Sequence, residues 1–160
     1  MLELKVLCHA RSVLDRARWQ HALREAEFAL SLAGEVPSIP GSRRFVRCTF
    51  EGLESGFDCA IEGFDVREWS MAPADAGRVA RFDTVVLLVT YPNAQEIAGS
   101  VTGAAAYASA TGGVVLDAHF EQRVVESIDA LAWARRWLPE IRSQFDGPSR
   151  VRAASRAGGT

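Results

Sequence analysis

Residues Thr84 to Asp117 constrain this 160-residue chain more than any other stretch. They open with an apolar run, Thr84-Val85-Val86-Leu87-Leu88-Val89-Thr90, and turn at Tyr91-Pro92-Asn93. Small residues follow from Ala94 to Thr111, Gly112-Gly113 breaks the run, and Val114-Val115-Leu116 closes it. The first run is β-branched and too short for a membrane span, so it reads as a strand buried on both faces. Asn93 with Glu96 three positions on is a helix N-cap signature, and the glycine pair is a C-terminal stop. The stretch therefore reads strand, helix, strand.

The rest of the chain supplies partners for that unit. Leu2, Leu4 and Val6 alternate with Glu3 and Lys5, as in a first strand. Ser12 followed three residues later by Asp15 has capping-box spacing and predicts a helix from there to Glu27, with Ala17, Trp19, Leu23 and Ala26 as its apolar stripe. Phe28–Leu32 alternates again, and Ala33–Ser42, with two prolines and two glycines, is a loop. Phe45–Glu51 and Gly56–Glu62 predict a hairpin. A turn centred on Leu53-Glu54 sets Val46 against Ile61, Cys48 against Cys59 and Phe50 against Phe57, all on one side. Residues 63–83 are mixed and carry no firm element. Val124–Ser143 has helical spacing through Val125, Ile128, Leu131 and Leu138, with Trp133 and Trp137 four apart and Pro139 late in the run.

Strands whose helices return to one sheet predict an α+β fold, a mostly antiparallel sheet with helices packed on one face. Dropping the hairpin and the last helix leaves strand-helix-strand-strand-helix-strand, the order of an elaborated ferredoxin-like sandwich. The length suits a single domain over 1–146. Residues 147–160, made of Gly, Ser, Ala and Arg without apolar period, are expected to be a mobile tail.

Charge narrows the function classes. The tail carries Arg150, Arg152 and Arg156; without them 15 basic residues face 20 acidic ones, a formal charge of −5. A nucleic-acid binder would show a basic face, so no nucleic acid is expected as partner, whereas a basic protein is permitted. The chain has no signal-peptide pattern at Met1–His9 and no run long enough to span a bilayer, so no membrane association is expected. Three cysteines without a dense framework suit a reducing cytoplasm.

No catalytic constellation stands out, and no cofactor or metal is expected. Asp117 and His119 follow a strand and could present an acid and a base, but a turn carboxylate and a surface histidine are the simpler reading. There is no G-x-S-x-G, no H-E-x-x-H and no Cys-His signature. Cys48 and Cys59 could pair or supply half a metal site; with no further ligands at zinc spacing, buried thiols are the simpler reading. Gly99 and Gly103 put a G-x-x-x-G on the small-residue helix. Glycine there costs up to ~1 kcal/mol and asks for a packing reason, such as a close sheet or the overlying Trp133 or Trp137.

The outer side of the hairpin carries acids. Glu51, Glu54, Asp58 and Glu62 run on to Asp65, Glu68 and Trp69, which together read either as a solvated sheet face or as a docking patch with an aromatic anchor. Trp19-Gln20-His21-Ala22-Leu23, then Glu27-Phe28-Ala29-Leu30, Glu54-Ser55-Gly56-Phe57 and Ala104–Thr111 with Gly112-Gly113-Val114-Val115-Leu116-Asp117, together resemble small cytoplasmic bacterial immunity proteins of polymorphic or contact-dependent toxin systems. The resemblance covers most of residues 1–120, rests on structural positions and transfers no functional residue; the last helix and the tail fall outside it. It implies a protein that binds a cognate toxin and blocks it by contact. The alternatives are a small enzyme or ligand-binding domain, with a pocket between the sheet and the 94–111 helix, and a subunit that forms a homodimer through an open sheet edge.

Overall fold

Seven strands pair antiparallel into one sheet, in a computed structural model that describes residues 1–145. In chain order the elements are β1 (Leu2–Cys8), α1 (Arg16–Glu25), β2 (Leu30–Ala33), β3 (Arg43–Phe50), β4 (Leu53–Gly63), α2 (Pro73–Val79), β5 (Thr84–Thr90), α3 (Ala94–Thr111), β6 (Val114–Asp117), β7 (Arg123–Val125) and α4 (Ala130–Gln144). The strand order is β2-β3-β4-β5-β1-β6-β7. The fold is α+β, and its inner four strands, β4-β5-β1-β6, with α1 and α3 as crossovers, have the ferredoxin-like order. The strand beside β5 is β4, however, and not the Phe28–Leu32 strand. The insertion is β2 and β3, which extend one edge, while β7 extends the other.

The sheet carries the core on one face. Leu2, Leu4, Val6 and Cys8 of β1 and Val86 and Leu88 of β5 point toward α3 and are buried. α3 is enclosed all round, with every residue from Glu96 to Ala108 buried. It lies on the sheet, and α1 and α4 pack against its far side. A helix buried on every face must carry small or apolar residues throughout, which is why this segment is rich in Ala and Gly. Residues 64–83 cross the opposite face, where Phe64, Val79 and Phe82 bury Leu7, Val85, Val114 and Val124 in a second, smaller cluster. The short helix α2 is thus the exception to the one-sided helix layer.

The glycine positions are set by contacts. Trp19, not Trp133 or Trp137, lies over Gly103: a Cβ there would meet Trp19 Cζ2 at 3.4 Å, and Leu30 and Phe57 at 3.6 Å. The Trp19 indole N–H also donates to the Gly103 carbonyl at 3.0 Å, and Tyr107 stands edge-on to the ring at 4.9 Å. At Gly113 a Cβ would fall 2.3 Å from the Leu7 carbonyl oxygen.

Four local readings change. Asp15 caps α1 by accepting from the Arg18 N–H at 2.8 Å, while Ser12 ends a separate 3-10 turn. The β3–β4 turn is Glu51-Gly52, both at positive φ (52° and 77°), a two-residue hairpin turn that a glycine favours. The pairing therefore slides by four residues, so that Cys48 faces Ser55 and Val46 faces Phe57, while Cys59 lies opposite Arg44 and Leu88. An even slip leaves every side chain on its expected face. Finally, Arg123–Val125 is an edge strand, and the last helix begins only at Ala130, which leaves Ile128 89% exposed. Residues 147–160 lie outside the described residues.

Gly103→Ala is expected to be neutral or to raise stability by up to ~1 kcal/mol, since the space accepts a methyl and helix propensity improves. Gly103→Leu should cost about 1–3 kcal/mol by overpacking Trp19 and Phe57. Urea denaturation midpoints of both variants check this, and a stabilising leucine would show that the seat is looser than described.

Candidate functional site

The 64–83 arm covers only part of the outer sheet face. Among the described residues, that arm does not reach over β3 and β4. Alternation sends Arg43, Phe45, Arg47 and Thr49 outward from β3, and Glu54, Gly56, Asp58, Ala60 and Glu62 outward from β4. Phe45 is 39% exposed, and its ring crosses Gly56, where a Cβ would lie 2.4 Å from Phe45 Cζ. Glycine at position 56 is what lets the ring lie flat on β4. Toward the middle of the sheet Ala60, Leu87 and Val89 continue an apolar floor, and Lys5 and Glu3 of β1 stand beyond it.

The seven acidic-patch residues separate into groups. Glu54, Asp58 and Glu62 do share this face. Glu51 sits in the hairpin turn and is ion-paired with Arg142 at the end of α4. Asp65 is bound by Arg67 at 2.7 Å, and those hydrogen bonds hold its carboxyl down at about 2. Glu68 is exposed in the 3-10 turn Val66–Glu68. Trp69 is half-buried; it stands 5.2 Å from the Phe64 ring, with Lys5 Nζ 5.5 Å from its own. The exposed aromatic beside the acids is Phe45. Its signal was present in the sequence: it holds the outward parity of β3, opposite to Val46, Cys48 and Phe50.

Asp117 is a structural carboxylate. It is 2% exposed and accepts from the backbone N–H groups of His119, Phe120 and Glu121 and from the Trp133 indole at 2.9 Å. It closes the β6–β7 turn and fastens α4 to the sheet end. His119 Nε2 accepts from the Glu3 N–H at 3.4 Å. Cys8, Cys48 and Cys59 are free and buried, and burial pushes their thiols up to about 11, 12 and 12. Protonated thiols are poor nucleophiles and poor ligands.

The 94–111 helix seats directly on the sheet: a Cβ at Gly99 would lie 3.0 Å from Ser55 Oγ and 3.6 Å from Leu30. Hollows lie elsewhere. One of about 520 Å³ runs along α1 over Ala106 and Ala110 of α3, with Arg18, His21 and Glu25 at its rim. Another of about 450 Å³ lies between Trp69, Asp75 and the β6–β7 hairpin. Among the described residues no three His, Cys, Asp or Glu side chains are grouped to hold a metal ion, and no helix is long and apolar enough to cross a membrane. Comparison of the chain with protein-family models, curated proteins and solved structures found no match.

Asp117→Ala leaves three backbone donors and an indole without an acceptor and should cost about 3–5 kcal/mol. Trp133→Phe, which keeps the backbone donors satisfied, should cost about 1.5–3 kcal/mol. Urea midpoints rank the two, and an equal or reversed ranking would remove Asp117 from its organising role. The raised thiols also predict that iodoacetamide at pH 8 leaves all three cysteines unmodified in the native chain and modifies all three in denaturant, as mass spectrometry would read.

Proposed function

We propose that this chain is a binding protein that neutralises its partner by contact: a cytoplasmic immunity-type protein directed at a cognate bacterial toxin domain with a basic surface. The observation that carries the binding reading is the outer face of β3 and β4, where Phe45 is 39% exposed and stands level with Asp58, with Glu54 and Glu62 exposed on the same face. A rigid aromatic on a pleated, hydrogen-bonded surface offers contact area at small entropic cost. The surrounding carboxylates steer a basic partner and fix its register. Glu68, further along the arm, extends the acidic margin. The toxin as target follows the resemblance carried by Trp19–Leu23, Glu54–Phe57 and Ala104–Asp117. The buried thiols and the fully engaged Asp117 are consistent with a chain that acts through its surface.

Co-expression with the product of each neighbouring reading frame tests this reading. The expected result is that one neighbour arrests growth alone and is silenced by this chain. Phe45→Ala should weaken the complex by roughly tenfold or more, the scale of a hot-spot truncation. Glu62→Arg with Glu68→Arg should slow association, most at low salt. If no neighbour is toxic, or the chain protects against none, the reading fails.

A further inference from the structure

A hollow of about 520 Å³ opens in the helix layer, on the side of the sheet opposite the outer face of β3 and β4. One wall is α1. Its Ala17, Arg18, His21, Ala22 and Glu25 recur at the spacing of a single helix face, while Trp19 and Leu23 are buried on the other side. The facing wall is α3, with Ala106, Ser109 and Ala110 again on one helix face, and Leu131 of α4 also borders the hollow. Alanine on both walls leaves the gap, since larger apolar side chains would fill it to the density of the core. From Ala17 to Glu25 the α1 wall rises about 12 Å, so the hollow is elongated. Its polar groups are few. Ser109 brings a hydroxyl, and Glu25 stands 3.9 Å from His21. Asp15, the acid nearest to Arg18 along the chain, accepts from the Arg18 backbone N–H. Among the described residues no carboxylate lies within 4.0 Å of the Arg18 guanidinium, so the charge left over at this hollow is cationic.

We propose that this hollow binds a small apolar carboxylate, an unbranched medium-chain acid whose chain lies along the alanine walls and whose head group rests on Arg18. The volume falls within the range of small-molecule sites, roughly 300–1,000 Å³, which combine an apolar lining with a few polar groups that fix orientation. Three properties select the ligand. The elongated shape suits an extended chain better than a compact ring system. The alanine methyls offer nothing to hydrogen-bond along the body of the ligand, so that body is hydrocarbon. The unpaired guanidinium calls for an anion, and its planar fork matches a carboxylate in a two-pronged contact. An amine of the same length would bring its positive charge against Arg18, and an alcohol would forgo the charge-assisted bond. The site uses α1, α3 and α4 and none of Phe45, Glu54, Asp58 or Glu62. It therefore does not rest on the toxin reading, and a protein partner on β3 and β4 leaves it free.

Octanoate, held below its micellar concentration, is the probe, with octylamine and octanol as controls of matched length. Isothermal titration calorimetry of the full chain should show octanoate binding at one site. The thermal midpoint should rise with octanoate concentration, as for any ligand taken up by the folded state alone. Octylamine and octanol should bind roughly tenfold more weakly or worse, the scale of a charge-assisted hydrogen bond. Arg18→Gln should weaken octanoate roughly tenfold and leave octanol unchanged. Ala110 is exposed, so Ala110→Phe can fill the hollow without entering the core, and it should abolish binding of octanoate and octanol alike. Should that variant lose its native circular dichroism, Ala17→Phe fills the hollow from the other wall. Absence of octanoate binding overturns the proposal. So does octylamine or octanol binding as tightly as octanoate, or octanoate binding unchanged in Arg18→Gln or in a folded filling variant. None of these outcomes depends on finding a toxin, so the two readings fail separately.

Discussion

The enclosure of α3 is the constraint on which the rest of this structure depends. A helix buried from Glu96 to Ala108 has no solvent face, so the sheet, α1 and α4 must each approach it closely. Small residues make the approach possible. Gly99 admits Ser55 and Leu30, Gly103 admits Trp19, and that tryptophan in turn orders α1 through its indole hydrogen bond. Ala and Gly bury little area each, so the apolar stabilisation comes from what surrounds them: Trp19, Phe57, Tyr107, Leu88 and Ile97.

Burial on this scale drives polar groups along the helix to find partners inside, although the Asn93 amide nitrogen has none among the described residues. Asn93 caps the helix by accepting from the Glu96 N–H at 3.0 Å, and the enclosed Glu96 carboxylate accepts from the Tyr91 N–H at 3.0 Å. A carboxylate at a helix N-terminus also lies at the favourable end of the dipole. Ser100 and Thr102 return their hydroxyls to carbonyls of the preceding turn. Asp117 performs the same service one strand later, binding the β6–β7 turn and the Trp133 indole together. Polar residues that resemble candidate catalysts in the sequence are thus occupied in holding the scaffold together.

The contact function proposed above uses the outer face of the hairpin. The 64–83 arm shields the middle and far edge of the sheet, and Trp69 is spent there against Phe64. The portion over β3 and β4 combines a half-exposed aromatic, Phe45, with the exposed acids Glu54 and Glu62. The proposed contact function places its partner on that portion and draws on the strand alternation.

Period and composition made much of this legible. The strands β1, β5 and β6, the Asn93 cap, the length of α3 and the inward set of the hairpin follow from local rules that hold wherever the segment is placed. The outward parity of Glu54, Asp58 and Glu62 was equally visible. Other features depended on distant partners. Which tryptophan covers Gly103 is decided by how α1 crosses α3. The hairpin register is decided by a turn at Glu51-Gly52 and by the strands pairing on both sides of β4. Arg123–Val125 has an apolar pattern that suits helix or strand alike, and only the free edge of β6 made it a strand. By itself the sequence determined which residues must be buried and on which face, because side-chain period is a local property of the backbone. The tertiary structure alone decided that Glu51 pairs with Arg142, and that Trp69 packs on Phe64 while Phe45 lies over Gly56, because those depend on which segments the fold brings side by side.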